Sequence, residues 1–308
     1  MPESVISAQD RARWHGDGWC VLDGVFTDHE LTTGHQAARH LFPSPEQVAA
    51  GTASPNGNTY DVTWDASKPR FPFAEGALNR LVVHDRLIDL AVDLLEVERV
   101  QLYQGLASAK YSSGTDYEQL LHVDYGNHTI VVPRAEPGFQ HLELFVYLDD
   151  VDEDTAATRM VSRRLTGDIP VERTHLAIDE YADLYAAEVP AIGRAGSVLA
   201  YRPDTYHRGT SLLRPNRVRL LLHVAYKPVG TDWLGFQTWP VEAESLSWYR
   251  FVAKANLRQL VAVGFPEPGH PYWNAETLRG VAARYPILDM GPWERAFESI
   301  PAEQAGGR

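Results

Sequence analysis

A chain of 308 residues, 44% hydrophobic and 22% charged, has the length and composition of one or two globular domains with a substantial buried core. Lys plus Arg numbers 28 against 41 Asp plus Glu, a formal net charge of −13, which argues against a nucleic-acid surface and against anionic membranes, because both reward clustered cations. The opening Met1-Pro2-Glu3-Ser4 has no basic-then-apolar leader, no stretch is apolar enough to span a bilayer, and the lone Cys20 cannot form an internal disulfide, so the expected compartment is the cytoplasm.

In chain order, an apolar run from Trp19 to Phe26 comes first, with Cys20 as a small core residue. Thr27-Asp28-His29-Glu30 has capping-box spacing and predicts a helix through about Phe42. Residues 51–58, rich in Gly and Asn, predict a loop; Leu81, Ile88, Val92 and Leu95 recur at helical spacing and predict one helix over about 77–95. From Arg99 the pattern changes to strands at 100–111, 140–148, 197–202 and 217–227, each rich in Val, Leu, Tyr and Phe. Short strands with long connections suggest a sandwich or barrel of jelly-roll character. Helices return after Pro240, at 244–263, from an Asn274 cap to Arg284, and at about 293–299, ahead of a disordered tail at 301–308. The expected organisation is a single domain over 1–300, a β core at about 98–230 wrapped by helices from both ends.

Three pairs have the form His-x-acid. His15-Gly16-Asp17 precedes the first strand, without a β scaffold around it. His141-Leu142-Glu143 lies on a strand, where alternate residues share a face, so it could in principle be a pair of ligands, but it is set aside for the pair that follows. His122-Val123-Asp124 follows a loop between two strands, where a barrel mouth falls, and His207 closes a strand, a Pro turn and a short strand ending at the same mouth. Two histidines and one carboxylate on one octahedral face leave three positions for a bidentate keto acid and dioxygen, the arrangement of non-haem iron(II) oxygenases. Downstream, Arg217, Arg219, Leu221 and His223 alternate onto one strand face. An arginine pointing into an apolar barrel is costly unless an anion meets it, and a guanidinium fork suits a dicarboxylate co-substrate.

These residues resemble the phytanoyl-CoA dioxygenase family of Fe(II)/2-oxoglutarate oxygenases. The resemblance runs from Gly18-Trp19-Cys20-Val21-Leu22-Asp23-Gly24-Val25-Phe26, through the strand and acidic turn of Leu144 to Asp154, to Gly196-Ser197-Val198-Leu199 ahead of His207-Arg208-Gly209-Thr210, and on to Tyr226. It implies a double-stranded β-helix (a jelly-roll, cupin-like core), iron held by His122, Asp124 and His207, and an arginine about eleven residues past the second histidine on the far carboxylate of 2-oxoglutarate. Arg217 and Arg219 both qualify; Arg219 is favoured because Tyr226 follows seven residues on. Gln104, Ser108 and Lys110, on one face of the preceding strand, resemble the family's co-substrate contacts. Where the family often shows a Pro-Gly-Ser-His turn, this chain reads Met160-Val161-Ser162-Arg163-Arg164-Leu165, so substrate class does not carry over.

The expected activity is therefore oxidation, by default hydroxylation, of a C–H bond of a small molecule such as a secondary metabolite, using dioxygen and releasing succinate and carbon dioxide. Tyr125, Trp233, Phe236 and Trp239 are candidates to line the pocket. Two alternatives make different predictions: a metal-independent β-sandwich binding module would be indifferent to metal removal, and a cupin-type isomerase without 2-oxoglutarate would have no use for Arg219. No Gly-x-Gly-x-x-Gly, phosphate-loop or Gly-x-Ser-x-Gly motif supports a nucleotide or serine-hydrolase reading.

Overall fold

The computed structural model describes residues 6–53, 68–112, 118–134, 136, 138–170 and 172–299. The expected disordered tail and most of the expected loop at 51–58 lie outside them. By its internal packing the chain divides into two compact units, Met1–Gln237 and Thr238–Arg308.

The first unit opens with α1 (Ala8–Asp17), which sequence reading passed over; Ser7 caps it and left-handed Gly18 ends it. β1 (Trp19–Leu22) follows, with Cys20 fully buried and its thiol pushed up to about 12 by burial, as fits a packing residue. The expected capping box is present: Thr27 accepts from the Glu30 N–H, and the Glu30 carboxylate accepts from the Thr27 N–H, at the start of α2 (Asp28–Leu41). A short α3 (Pro45–Ala49) comes next. The single helix expected over 77–95 is two, α4 (Gly76–Val82) and α5 (Asp85–Leu95), because the His84 ring accepts the Arg86 N–H and so caps a new helix.

Two five-stranded antiparallel sheets form the core. The larger has the order β1, β8 (Val198–Tyr201), β4 (Leu142–Tyr147), β10 (Val218–Pro228), β2 (Val100–Tyr111). The smaller runs β6 (His175–Leu176), β3 (Leu121–His122), β9 (His207–Arg208), β5 (Arg159–Met160), β7 (Val189–Pro190). A short α6 (Ala182–Ala186) lies between β6 and β7 in the chain. Neighbouring strands remote in sequence, joined across long loops, make the expected jelly-roll. α5 packs on β2, β4 and β10, covering the outer face of the larger sheet. There Gly105 is required for close approach, since a Cβ would fall 2.9 Å from Phe71 Cβ and 3.0 Å from Val82 Cγ1.

One irregularity shapes the interior. Along β2 and β10 the register passes from Ala225 opposite Gln104 to Tyr226 opposite Leu102, so Tyr103 is an extra, bulged residue. Tyr226 points outward, donating its hydroxyl to the Val82 carbonyl (2.7 Å), whereas the bulge aims Tyr103 inward to Glu143 (2.6 Å).

The second unit is helical. The helix expected over 244–263 is again two, α7 (Leu246–Val252) and α8 (Leu257–Ala262), divided where Asn256 and Gln259 form a capping box. Asn274 caps α9 (Ala275–Arg284) as expected, and α10 (Gly291–Glu298) follows. Its core is aromatic: the Trp248 indole donates to the Tyr285 hydroxyl (3.1 Å), while Trp273 and Trp293 both donate to the Pro266 carbonyl. Trp239, expected as a pocket candidate, is a buried residue of this unit. No helix of the described residues is long and apolar enough to cross a membrane.

Candidate active site

β3 and β9 are neighbours in the smaller sheet, and their register sets His122 directly opposite His207. Asp124 begins a 3-10 turn just past β3, and its N–H donates to the Pro203 carbonyl (3.0 Å), which fixes the turn against the approach to β9. One ligand atom from each of the three residues lies within 4.8 Å of the others. His122 Nδ1 donates to the Leu120 carbonyl (2.9 Å) and His207 Nδ1 to the Thr205 carbonyl (3.0 Å). Those bonds place the proton on Nδ1 and leave each Nε2 lone pair as a ligand, 3.5 Å from Asp124 Oδ1 for His122 and 3.3 Å from Oδ2 for His207. Two ligands that each sit about 2.1 Å from one ion lie about 3 Å apart or somewhat more, so these separations suit a shared metal.

The larger sheet contributes the next layer. Tyr201, at the end of β8, donates its hydroxyl to Asp124 Oδ2 (2.7 Å). Burial, then the charge of Asp124, drives the Tyr201 phenol well above its ordinary range, so it stays a donor. Without a metal the same two Nε2 atoms can take up protons instead; burial then acts to raise the Asp124 carboxyl, but the His207 charge and hydrogen bonds from both protonated rings hold it well below the usual carboxylate range.

A cavity of ≈ 150 Å³ opens beside the three residues. Gln104, Ser108 and Lys110 on β2 and Arg219 on β10 all line it, as expected. Arg219 stands directly opposite Lys110 across the two strands. Like charges so placed repel, and Lys110 is only 7% exposed, so the pair favours an anion in the cavity. Both are steadied by backbone: Lys110 Nζ donates to the Thr210 carbonyl and Arg219 Nη1 to the Ala156 carbonyl. Lys68, buried and lining the same cavity, adds a third cation. Ser108 Oγ meets His223 Nε2 (2.9 Å), and burial, with Lys68 and Arg219 nearby, holds His223 well below the ordinary imidazole range.

Arg217 is a correction. It is exposed, precedes the first residue of β10 and does not line the cavity; its backbone is tied to Ser112 instead. The strand starts one residue later than expected, so the shared face begins at Arg219. His15 and Asp17 are also spoken for, by Glu96 (3.4 Å) and by Ser162 and Arg164 (2.6 and 3.0 Å). Of the aromatic candidates only Phe236 lines the cavity; Tyr125 is buried with Leu121, Val123 and Tyr206, and Trp233 lies against Phe139.

Sequence reading missed Lys68, Tyr201 and a second buried cluster. Lys68 falls in a stretch without periodicity, and no sequence signal marks it. Tyr201 was legible in outline, as an aromatic ending the strand that leads toward His207. The cluster joins His141 and Glu143, set aside above, to His128 and the bulged Tyr103. His128, His141 and Glu143 also hold ligand atoms within 4.8 Å of one another, and all three are buried. His141 Nε2 has no hydrogen-bond partner among the described residues.

A β-helix of two sheets with two imidazoles and a carboxylate at its mouth, beside a cationic cavity, is the architecture of the non-haem iron oxygenases. The family model for phytanoyl-CoA dioxygenase matches residues 14–212, and the chain belongs to that family. It is a non-haem enzyme dependent on Fe(II) and 2-oxoglutarate, with the double-stranded β-helix fold. The expected alternatives, a metal-independent binding module and an isomerase without 2-oxoglutarate, give way to this assignment. Among solved structures, EctD from S. alaskensis with bound Fe is similar at 19% identity and a TM-score of 0.58, over 78% of this chain and 84% of that one. The non-heme alpha ketoglutarate dependent epimerase SnoN from nogalamycin biosynthesis is similar at 17% and 0.52, over 71% and 82%. The carbocyclase SnoK from the same biosynthesis is similar at 16% and 0.51, over 72% and 84%. At such identities the likeness concerns the fold. A search of curated proteins gives no match.

Proposed function

We propose that the chain hydroxylates a C–H bond of a small molecule, such as a secondary metabolite, with dioxygen as co-substrate and succinate and carbon dioxide as co-products. His122, Asp124 and His207 hold the iron, and Arg219 grips the far carboxylate of 2-oxoglutarate with Lys110, Gln104 and Ser108 around it. The observation that carries this reading is the orientation of the two imidazoles, each with Nδ1 tied to a backbone carbonyl and Nε2 turned to Asp124.

When bound, iron and keto acid supply the activation of dioxygen. The chain's part is to bind and orient. Arg219 and Lys110 fix one end of the dicarboxylate, so its keto end faces the three ligands. Tyr201 holds the Asp124 carboxylate in one rotamer by its hydroxyl. Aromatic side chains at the cavity, Phe145, Tyr201 and Phe236, keep water out. We take residues 1–300 to work as one catalytic module in the cytoplasm; a formal charge of −13 speaks against nucleic-acid or anionic-membrane partners.

Equilibrium dialysis against iron(II) tests the ligand set without any substrate. The native chain is expected to bind one equivalent, and His122→Ala, Asp124→Ala and His207→Ala each to lose it while keeping the native circular dichroism. Loss in His15→Ala or His141→Ala, with retention in His122→Ala, would move the site elsewhere. Asp124 also bears on the reaction's outcome. With Asp124 as a ligand beside a bidentate keto acid and dioxygen, a halide would have to displace a charged oxygen, so once a substrate is found, product mass spectra in chloride buffer should show added oxygen or loss of two hydrogens; a chlorinated main product would refute the role given to Asp124.

A further inference from the structure

The cavity is bipolar. Lys68, Lys110 and Arg219 supply one pole, matched to the dicarboxylate, while Glu143 and His128 line it as well and belong to neither the ligand set nor the co-substrate site proposed above. Glu143 is 2% exposed, an expensive place for a carboxylate without a purpose. Its Oε1 accepts from the Tyr103 hydroxyl (2.6 Å) and lies in ion-pair contact with His128 Nδ1 (2.8 Å), which the same hydroxyl also meets (3.1 Å), and the bulge in β2 is what brings Tyr103 there. Both contacts fall on Oε1, so among the described residues Oε2 is the oxygen left for a ligand. Both contacts are shorter than the 3.3 and 3.5 Å separations around Asp124, and they describe a braced carboxylate. Aromatic rings complete the surroundings: Tyr201 stands directly opposite Glu143 across β8 and β4, and Phe236 packs on the His128 ring with centroids 5.0 Å apart. A fixed carboxylate among aromatic faces is the chemistry that selects a cation.

We propose that Glu143, braced by Tyr103 and His128, anchors a cationic nitrogen of the substrate, an ammonium or amidinium group, inside the cavity. The inference rests on the oxygenase reading for what happens next, since it sets which end of the substrate is held away from the dicarboxylate pole. It adds a charge requirement: neutral and anionic analogues of the same carbon skeleton bind less well.

Anaerobic calorimetric titration of the protein, supplied with iron(II) and 2-oxoglutarate, with n-butylammonium, n-butanol and n-butyrate tests it. The ammonium ion is expected to bind roughly tenfold or more tightly than the alcohol, with butyrate weakest, and Glu143→Gln to erase that order while Glu143→Asp keeps part of it. No preference for the cation in the native protein would overturn the proposal, without reliance on any variant. So would a preference that survives in Glu143→Gln, or a second metal equivalent, found by elemental analysis, that Glu143→Gln removes. Iron binding by dialysis is measured separately, so a missing iron site with an intact ammonium preference would count against the oxygenase reading and not against the anchor.

Discussion

Arg219 and Arg217 show how much one residue's placement decides. Sequence alternation set both on one strand face; the structure gives Arg219 the cavity and leaves Arg217 exposed before β10 begins. A buried carboxylate that loses its charged, hydrogen-bonding partner costs about 2–5 kcal/mol. Arg219→Ala is therefore expected to weaken 2-oxoglutarate binding at least tens-fold, and Arg217→Ala to change it by less than a factor of about two, within the range of an ordinary surface substitution. Isothermal titration with iron(II) present checks both; equal losses would show that the dicarboxylate lies elsewhere. The candidate ligand set was legible because His-x-Asp and a distant His after a strand carry a spacing, and the structure brings those three side chains together. Glu143 was visible on its strand but not as part of a cluster, because its partners His128 and Tyr103 come together only through a turn and a bulge that no periodicity announces.

Elements were legible where a local rule decides them and illegible where tertiary packing does. The Thr27–Glu30 capping box was read from four residues and the Asn274 cap from one. Both long helices were broken by a mid-helix cap, His84 in one case and Asn256 in the other, because an apolar stripe continues through a break that only the backbone reveals. The two-residue strands of the smaller sheet, which carry both histidines, are too short to show alternation at all. Thr27→Ala removes the hydroxyl's two bonds with Glu30, one to its carboxylate and one from its N–H, and is expected to cost about 1 kcal/mol, read as a lower urea midpoint. That cost should depend on pH. Burial acts to raise the Glu30 carboxyl, but hydrogen bonds from Thr27 and His84 outweigh it and hold the group down at about 2, against an ordinary 4.5. Its contribution is thus complete above the ordinary value and fades as pH falls toward about 2. A Thr27→Ala penalty of the same size at pH 7 and pH 2.5 would contradict that coupling.

At the scale of the whole molecule, the charge balance and the site point in opposite directions. The chain is strongly acidic overall, yet its cavity gathers Lys68, Lys110 and Arg219 at one pole, so net charge described the surface and gave no hint of the interior. The jelly-roll explains how that is possible. Its larger sheet presents β2 and β10 inward with cations, its smaller sheet presents β3 and β9 with imidazoles, and the cavity beside them receives both. The central claim is that those two sets of side chains hold a metal and a dicarboxylate in contact with each other. Anaerobic titration of the protein with iron(II) and then 2-oxoglutarate, followed by visible absorption, tests this directly. A charge-transfer band that saturates at one equivalent of each, is absent in Asp124→Ala and needs far more 2-oxoglutarate in Arg219→Ala is the predicted result; no band with the native protein, or one unchanged by both substitutions, would contradict it.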